Sequence, residues 1–319
     1  MKRIGASLAI AVAALVGAGP AAAQDYPSRT VEVIVPFAAG GGADASQRLF
    51  NKSAEPMIGQ SMVVLNKPGA GGTTGWAELV RAEPDGYTLA IVTPPFNIIP
   101  ALVKPKQTGY TLDQFTNICV YAVVPDVLFV REDSEFKTLQ DLVDHAKANP
   151  EKVKVANSGT LGADFMTTLL IENATGTKFT QIPFDGGSKM LQGTLAGTTD
   201  AMVGSNIFAF SQKGQLRPLA IATEERDPQL ADVPTFKELG YPVVSERYRA
   251  LAGPPGMAAE LVSYWADVCE KVVADPAFRE ESNKVGLPAE YRGPEQAQAS
   301  IEAMTRDIEA VVKTNKLAE

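Results

Sequence analysis

Two hydrophobic periods take turns along this chain. Short apolar, β-branched runs bounded by Gly or Pro predict strands over TVEVIVPF (Thr30–Phe37), MVVLN (Met62–Asn66) and YTLAIVT (Tyr87–Thr93). Helical spacing fills the gaps, over Ala45–Met57 and Thr74–Ala82. That rhythm is the β-α-β-α-β order of a parallel sheet with crossovers. Asp44-Ala45-Ser46-Gln47 reads as a capping box, with Asp44 as the N-cap and Gln47 three residues on.

The long β-rich run ICVYAVVPDVLFVRE (Ile118–Glu132) breaks this order, and after it the rhythm restarts. TLQDLVDHAKANP predicts a helix stopped by Pro150, VKVANSGTLG a strand entering a glycine-containing turn, and ADFMTTLLIENATG a helix closed by Gly176. FTQIPFDGG and DAMVGSN repeat the strand-then-turn pattern, PLAIATEE adds a strand, and ERYRALAGPPG (Glu246–Gly256) predicts a second connecting strand. From Ala258 onward only helices are expected, over Ala258–Ala274, Pro276–Val285 and Pro294–Lys313. Two α/β units joined by two separate β connections imply that one is inserted into the other. The expected division is a lobe of residues 24–122 plus 248–319 and an inserted lobe of residues 123–247, hinged at two crossover strands.

Composition narrows the setting. Lys2 and Arg3 precede an uncharged Ala/Leu/Val run to Val16, and Ala21-Ala22-Ala23 offers a cleavage pattern, so residues 1–23 read as a signal peptide cut near Ala23. No later stretch reaches the ~18 unbroken apolar residues of a spanning helix. Export to the periplasm is the expectation. About 300 residues remain, enough for two lobes with cores of their own. The net charge of −8 becomes more negative once Lys2 and Arg3 are gone, which argues against a nucleic-acid partner. It also argues against long-range attraction of an anion, so an anion site must be local and built from dipoles. Cys119 and Cys269 are far apart in sequence and read equally as one disulfide or as two buried thiols.

Catalytic chemistry finds little footing. Gly40-Gly41-Gly42-Ala43-Asp44-Ala45 satisfies a loose dinucleotide pattern, but the next strand ends in Asn66-Lys67 instead of the acid that ribose hydroxyls require. No phosphate-binding G-x-x-x-x-G-K-[ST] and no G-x-S-x-G occur. The only histidine, His145, falls near the end of a helix, where the C-terminal dipole accounts for it. No cysteine has metal-ligand spacing, and neither metal nor cofactor is expected. Non-covalent binding is better supported. AAGGGAD (Ala38–Asp44), PGAGGTTG (Pro68–Gly75), NSGTLGAD (Asn157–Asp164) and FDGGSK (Phe184–Lys189) are strand-to-helix turns rich in Gly and small hydroxyls. Such turns sit at the carboxyl ends of strands, where open α/β sheets bind ligands, and bare amides at helix starts suit anions.

YPSRTVEVIVPFAAGGGAD, NKPGAGGTTG and EPDGYTL together resemble the opening of the tripartite tricarboxylate transporter substrate-binding proteins, the TctC or Bug family. The similarity continues through VKVANSGTLGADF, IPFDGGSKMLQGTLAG, DVPTFKELGYP and LAGPPGM. The resemblance implies an α/β, periplasmic-binding-protein-like fold of the Venus flytrap kind, each lobe a mixed β-sheet flanked by helices. It implies capture of a small organic carboxylate between the lobes by backbone amides and Ser/Thr hydroxyls, and delivery to a permease of one large and one small membrane subunit. By position, one lobe would contribute Phe37, Gly41, Gly42 and Asp44, and the other Ser158, Gly159, Thr160, Gly186 and Gly187. Phe184, Ser205, Arg247 and Tyr248 complete the candidate set, with the sequence departing from the family's pattern at Pro95, Gly204 and the Arg247–Arg249 pair. An arginine of that pair facing the cleft would hold a second carboxylate. A monomer is expected. The alternatives are a receptor that presents its ligand to a membrane sensor kinase and, more distantly, a secreted α/β enzyme.

Overall fold

The computed structural model describes residues 26–159, 161–314 and 317. The expected leader and Thr160 lie outside the described residues. The chain runs β1 (Val31–Val35), α1 (Gly42–Ile58), β2 (Met62–Asn66), α2 (Thr73–Leu79), β3 (Thr88–Val92), the short α3 (Ile98–Val103) and α4 (Pro105–Thr108), then β4 (Thr116–Arg131). Next come α5 (Leu139–Ala148), β5 (Lys154–Asn157), α6 (Ala163–Thr175), β6 (Thr180–Pro183), α7 (Gly187–Leu195), β7 (Ala201–Ser205), α8 (Ile207–Ser211) and β8 (Leu216–Ile221). The chain returns through β9 (Glu246–Gly253) to α9 (Ala259–Ala274), α10 (Pro276–Lys284), β10 (Ala289–Arg292) and α11 (Pro294–Thr314).

The strands form one continuous order, β2-β1-β3-β9-β4-β7-β5-β6, with β8 and β10 also paired to β4. Parallel pairs (β1 with β2 and β3, β5 with β6 and β7) occupy the outer parts, and antiparallel pairs the middle. β4 is the pivot of this arrangement. Its residues from Thr116 to Pro125 pair with β9, and those from Asp126 onward pair with β7 and β8. Strand alternation then separates two cores beyond the pivot. Leu128 and Val130 point into one with Val155 and Val203, while Val127 and Phe129 point into the other with Ala156 and Met202. A larger core gathers β1, β3, the first part of β4, and the helices α1, α9 and α11.

Local chemistry explains most boundaries. Thr138 caps α5 in a reciprocal box with Asp141, and Gly176 ends α6 in the left-handed conformation that only glycine adopts cheaply. Asp275 caps α10, whose first residue is Pro276. Two expectations are corrected. The N-cap of α1 is Gly41, not Asp44, because the helix begins three residues earlier than the apolar spacing suggested. The C-terminal part also contains a strand, since β10 pairs antiparallel with β4 at Ala122 and Val120. Cys119 on β4 and Cys269 on α9 form a disulfide, which decides between the two readings of the cysteines. Among the described residues no helix is long and apolar enough to cross a membrane.

Candidate functional site

A cavity lies where the carboxyl ends of β1 and β3 face those of β5 and β7. It is narrow, ≈ 40 Å³. Phe37, Gly41, Gly42, Thr93 and Phe96 line it from one side, and Ser158, Asp164, Gly187, Ser205 and Phe208 from the other. The two sides touch closely. A Cβ built on Gly41 would stand 3.7 Å from the Ser188 amide nitrogen and 3.9 Å from that of Gly187. One on Gly162 would come within 2.6 Å of the Phe96 ring, so Phe96 packs directly on the start of α6.

The helices α1, α6 and α7 begin at this cavity, and each leaves first-turn amides without helical acceptors. At α1 the amides of Gly41 and Gly42 find no acceptor among the described residues, and neither do those of Gly187 and Ser188 at α7. These two helix starts face each other, and both present positive potential. At α6 the situation differs. The Ser158 amide donates to Asp164 Oδ2 at 2.8 Å, and the Ser158 hydroxyl donates to the same oxygen. Both donors of Ser158 are thus already engaged by the chain's own carboxylate.

Asp164 belongs to a buried ionic cluster at the back of the cavity. Arg247, 4 % exposed, extends between Asp164 (Nη2 to Oδ1, 2.7 Å) and Asp126, pairing with both. Asp126 also accepts from Thr167 at 2.6 Å and Ser245 at 2.8 Å. Burial pushes the Asp164 carboxyl up, against the bonds from Ser158 and the field of Arg249, and the ion pair with Arg247 favours its charged form. Burial and neighbouring Arg249 weigh against the charge on Arg247. The two carboxylates that bracket it keep the guanidinium protonated. Arg249 lies two residues further along β9, on the same face, and also lines the cavity. Burial lowers it to about 10, which leaves it charged at neutral pH.

Seven candidates from the sequence meet at this cavity: Phe37, Gly41, Gly42, Ser158, Gly187, Ser205 and Arg247. Others stand elsewhere for clear reasons. Asp44 turns back to its own loop, accepting from the Gly40 amide at 3.0 Å, Arg48 at 3.0 Å and Asn66 at 2.9 Å. Gly159 lies against Gly71, and Gly186 against Ala38. The Phe184 ring covers Gly193 of α7. Tyr248 falls on the opposite face of β9 from Arg247 and Arg249, with its ring 4.9 Å from the Arg292 guanidinium carbon. The cavity walls also include residues outside the candidate set: Thr93, Phe96, Asp164, Met190, Phe208 and Arg249. Asp126 did carry a signal, being a charge within the apolar run VYAVVPDVLFV, and Arg249 was already in view as one of the β9 arginine pair. Among the described residues no three His, Cys, Asp or Glu side chains cluster as a metal site.

Comparison with known proteins places this geometry. The family described as "TctC: Tripartite tricarboxylate transporter family receptor" matches residues 47–317. The "UPF0065 protein in gbd 5'region" of Cupriavidus necator is 31% identical over 320 residues, covering 98% of this chain and 97% of that protein. Among solved structures, the periplasmic binding protein BugD superposes with a TM-score of 0.86 at 29% identity, covering 92% of this chain and 99% of that one. An R. palustris protein solved with adipate gives 0.86 at 27% identity, covering 91% and 98%. MatC from Rhodopseudomonas palustris, with bound malate, gives 0.84 at 26% identity, covering 90% and 100%. The fold is that of α/β periplasmic binding proteins, as the resemblance implied. With the match spanning most of its length, the chain belongs to the TctC family of tripartite tricarboxylate transporter receptors, which are solute-binding proteins and not enzymes.

Proposed function

We propose that this protein captures a small organic carboxylate between two lobes in the periplasm and delivers it to the large and small membrane subunits of a tripartite tricarboxylate transporter. One observation carries the reading: the starts of α1 and α7 face each other with the Gly41, Gly42, Gly187 and Ser188 amides free of acceptors among the described residues. Opposed helix starts suit a carboxylate, which accepts from several amides at once. The adipate and malate held by two solved relatives are acids of this kind. The proposed lobes are residues 24–122 with 248–319, and residues 123–247, turning about β4 and β9. The proposed export signal is residues 1–23, cut near Ala23, and the mature receptor is a monomer.

The energetics favour closure. Four to six charge-assisted hydrogen bonds gain about 6–18 kcal/mol gross, against about 4–15 kcal/mol for association and ordering. Half of that donor set falls short of the ~8 kcal/mol of a micromolar complex. The ligand therefore selects the form in which both lobes contribute, and the permease reads that closed shape. Calorimetry with a panel of organic acids and their matched amides tests the reading. At least tenfold preference for acids is expected, and equal affinity for acid and amide overturns it.

A further inference from the structure

Arg249 is a buried cation at the cavity with no counter-ion of its own. Its residue is 3 % exposed, its Nε has no hydrogen-bond partner, and no carboxylate of the described residues lies within 4.0 Å of its guanidinium. The buried acids of the cluster are already engaged. Asp164 is held by Arg247 and Ser158, and Asp126 by Arg247, Thr167 and Ser245. Tyr121, its other polar neighbour, is fully buried and stays a neutral phenol, because burial raises its pKa. Arg249 also stands where a cation is least welcome. Its Nη2 is 3.4 Å from the place of a Cβ on Gly42, at the positive start of α1. Beside it are Ser205, whose Cβ is 3.9 Å from that same point, and the Thr93 hydroxyl, which is buried without a partner.

A buried, unpaired guanidinium is costly unless something completes it. Arg247, Arg249, Asp126 and Asp164 sum to zero. The starts of α1, α6 and α7 add roughly +0.5 each, a field that one carboxylate does not neutralise. We infer that Arg249, with Thr93 and Ser205, holds a second acidic group, so that the ligand is a short dicarboxylate and Arg249 sets that preference. The inference rests on the carboxylate reading given above. The first carboxylate takes the facing amides of α1 and α7, and the second pairs with the guanidinium. Of the two arginines on this face of β9, Arg247 is excluded because its own acids already bracket it.

The test is calorimetry on the full mature chain with dicarboxylates and monocarboxylates of equal length, succinate with butyrate and adipate with hexanoate. The wild type is expected to prefer the better-fitting dicarboxylate over its partner by tenfold or more. Arg249→Gln is expected to weaken that dicarboxylate at least 30-fold while changing the monocarboxylate less than threefold, and Arg249→Lys is expected to keep part of the preference. Without ligand, Arg249→Gln is expected to melt no lower than the wild type, since it removes an uncompensated charge; a lower melting temperature counts against the inference. Equal loss for both acids overturns the second subsite and moves Arg249 to the first carboxylate. Unchanged dicarboxylate affinity in folded Arg249→Gln overturns any role in binding. A wild type that binds acids and amides alike refutes the parent reading, an outcome distinct from either.

Discussion

Gly42-Ala43-Asp44 opens α1 on one side of the cavity, and Gly162-Ala163-Asp164 opens α6 on the other, each after a strand and a glycine-containing turn. The tripeptides are identical, yet their carboxylates do opposite things. Asp44 turns away and fastens its own loop, leaving the Gly41 and Gly42 amides open. Asp164 turns inward, takes up the Ser158 donors and binds Arg247. The difference is one residue of helical frame. The N-cap of α1 is Gly41, so Asp44 is the third helical residue; the N-cap of α6 is Gly162, so Asp164 is the second. One residue is about 100° of rotation, which suffices to send the same side chain to Asn66 and Arg48 in one case and to the ionic cluster in the other. A turn's role at a binding site is thus set by the angle at which its helix starts.

Three substitutions break this pairing in turn. Arg247→Gln leaves Asp126 and Asp164 buried without the cation that bonds to both, and urea unfolding is expected to show a loss of about 3–5 kcal/mol. A loss below ~1 kcal/mol would mean that the cluster is not fixed by its arginine. Ser158→Ala removes the hydroxyl donor but not the amide, and the expected loss is about 1–2 kcal/mol, with ligand affinity changed by less than threefold because that donor serves Asp164. A large loss of affinity at unchanged stability would return Ser158 to the ligand. Asp44→Asn is expected to cost about 1 kcal/mol, as its partner Arg48 is half exposed. Burial works against the Asp44 charge, but bonds from Arg48, the Gly40 amide and Asn66 prevail and hold its carboxyl below the usual range. Its contribution is therefore complete above the unfolded value of ~3.9, and is lost as the pH falls through the folded value. Asp44→Asn should flatten the acid limb of stability below about pH 4, and an unchanged limb would remove Asp44 from the account.

Much of the architecture is legible in the chain. β2 falls where its apolar run predicts, and Gly176 ends α6 as expected, because both signals are local. β10 was hidden because four residues, Ala289–Arg292, gain their strand identity only by pairing with β4. The glycine turns around the cavity were equally readable, since backbone approach requires small residues there. The walls were not. Phe96, Met190 and Phe208 look in sequence like ordinary core residues, and only the meeting of the two sides makes them a lining. β9 shows how a readable rule can still be underused. Period-two alternation places Arg247 and Arg249 together and Tyr248 opposite, so grouping Tyr248 with Arg247 as neighbours in sequence crossed the sheet.

The route of the chain through β4 and β9 has a consequence for assembly. Everything that pairs between Asp126 and Ile221 is contiguous, whereas the sheet on the other side of the pivot needs β9, and its cystine needs Cys269. As the polypeptide emerges from its N-terminus, the middle portion can reach its native pairing while the first strands still await their closing neighbour. The segment that appears first is thus among the last to be completed, and a truncation before Cys269 leaves it open.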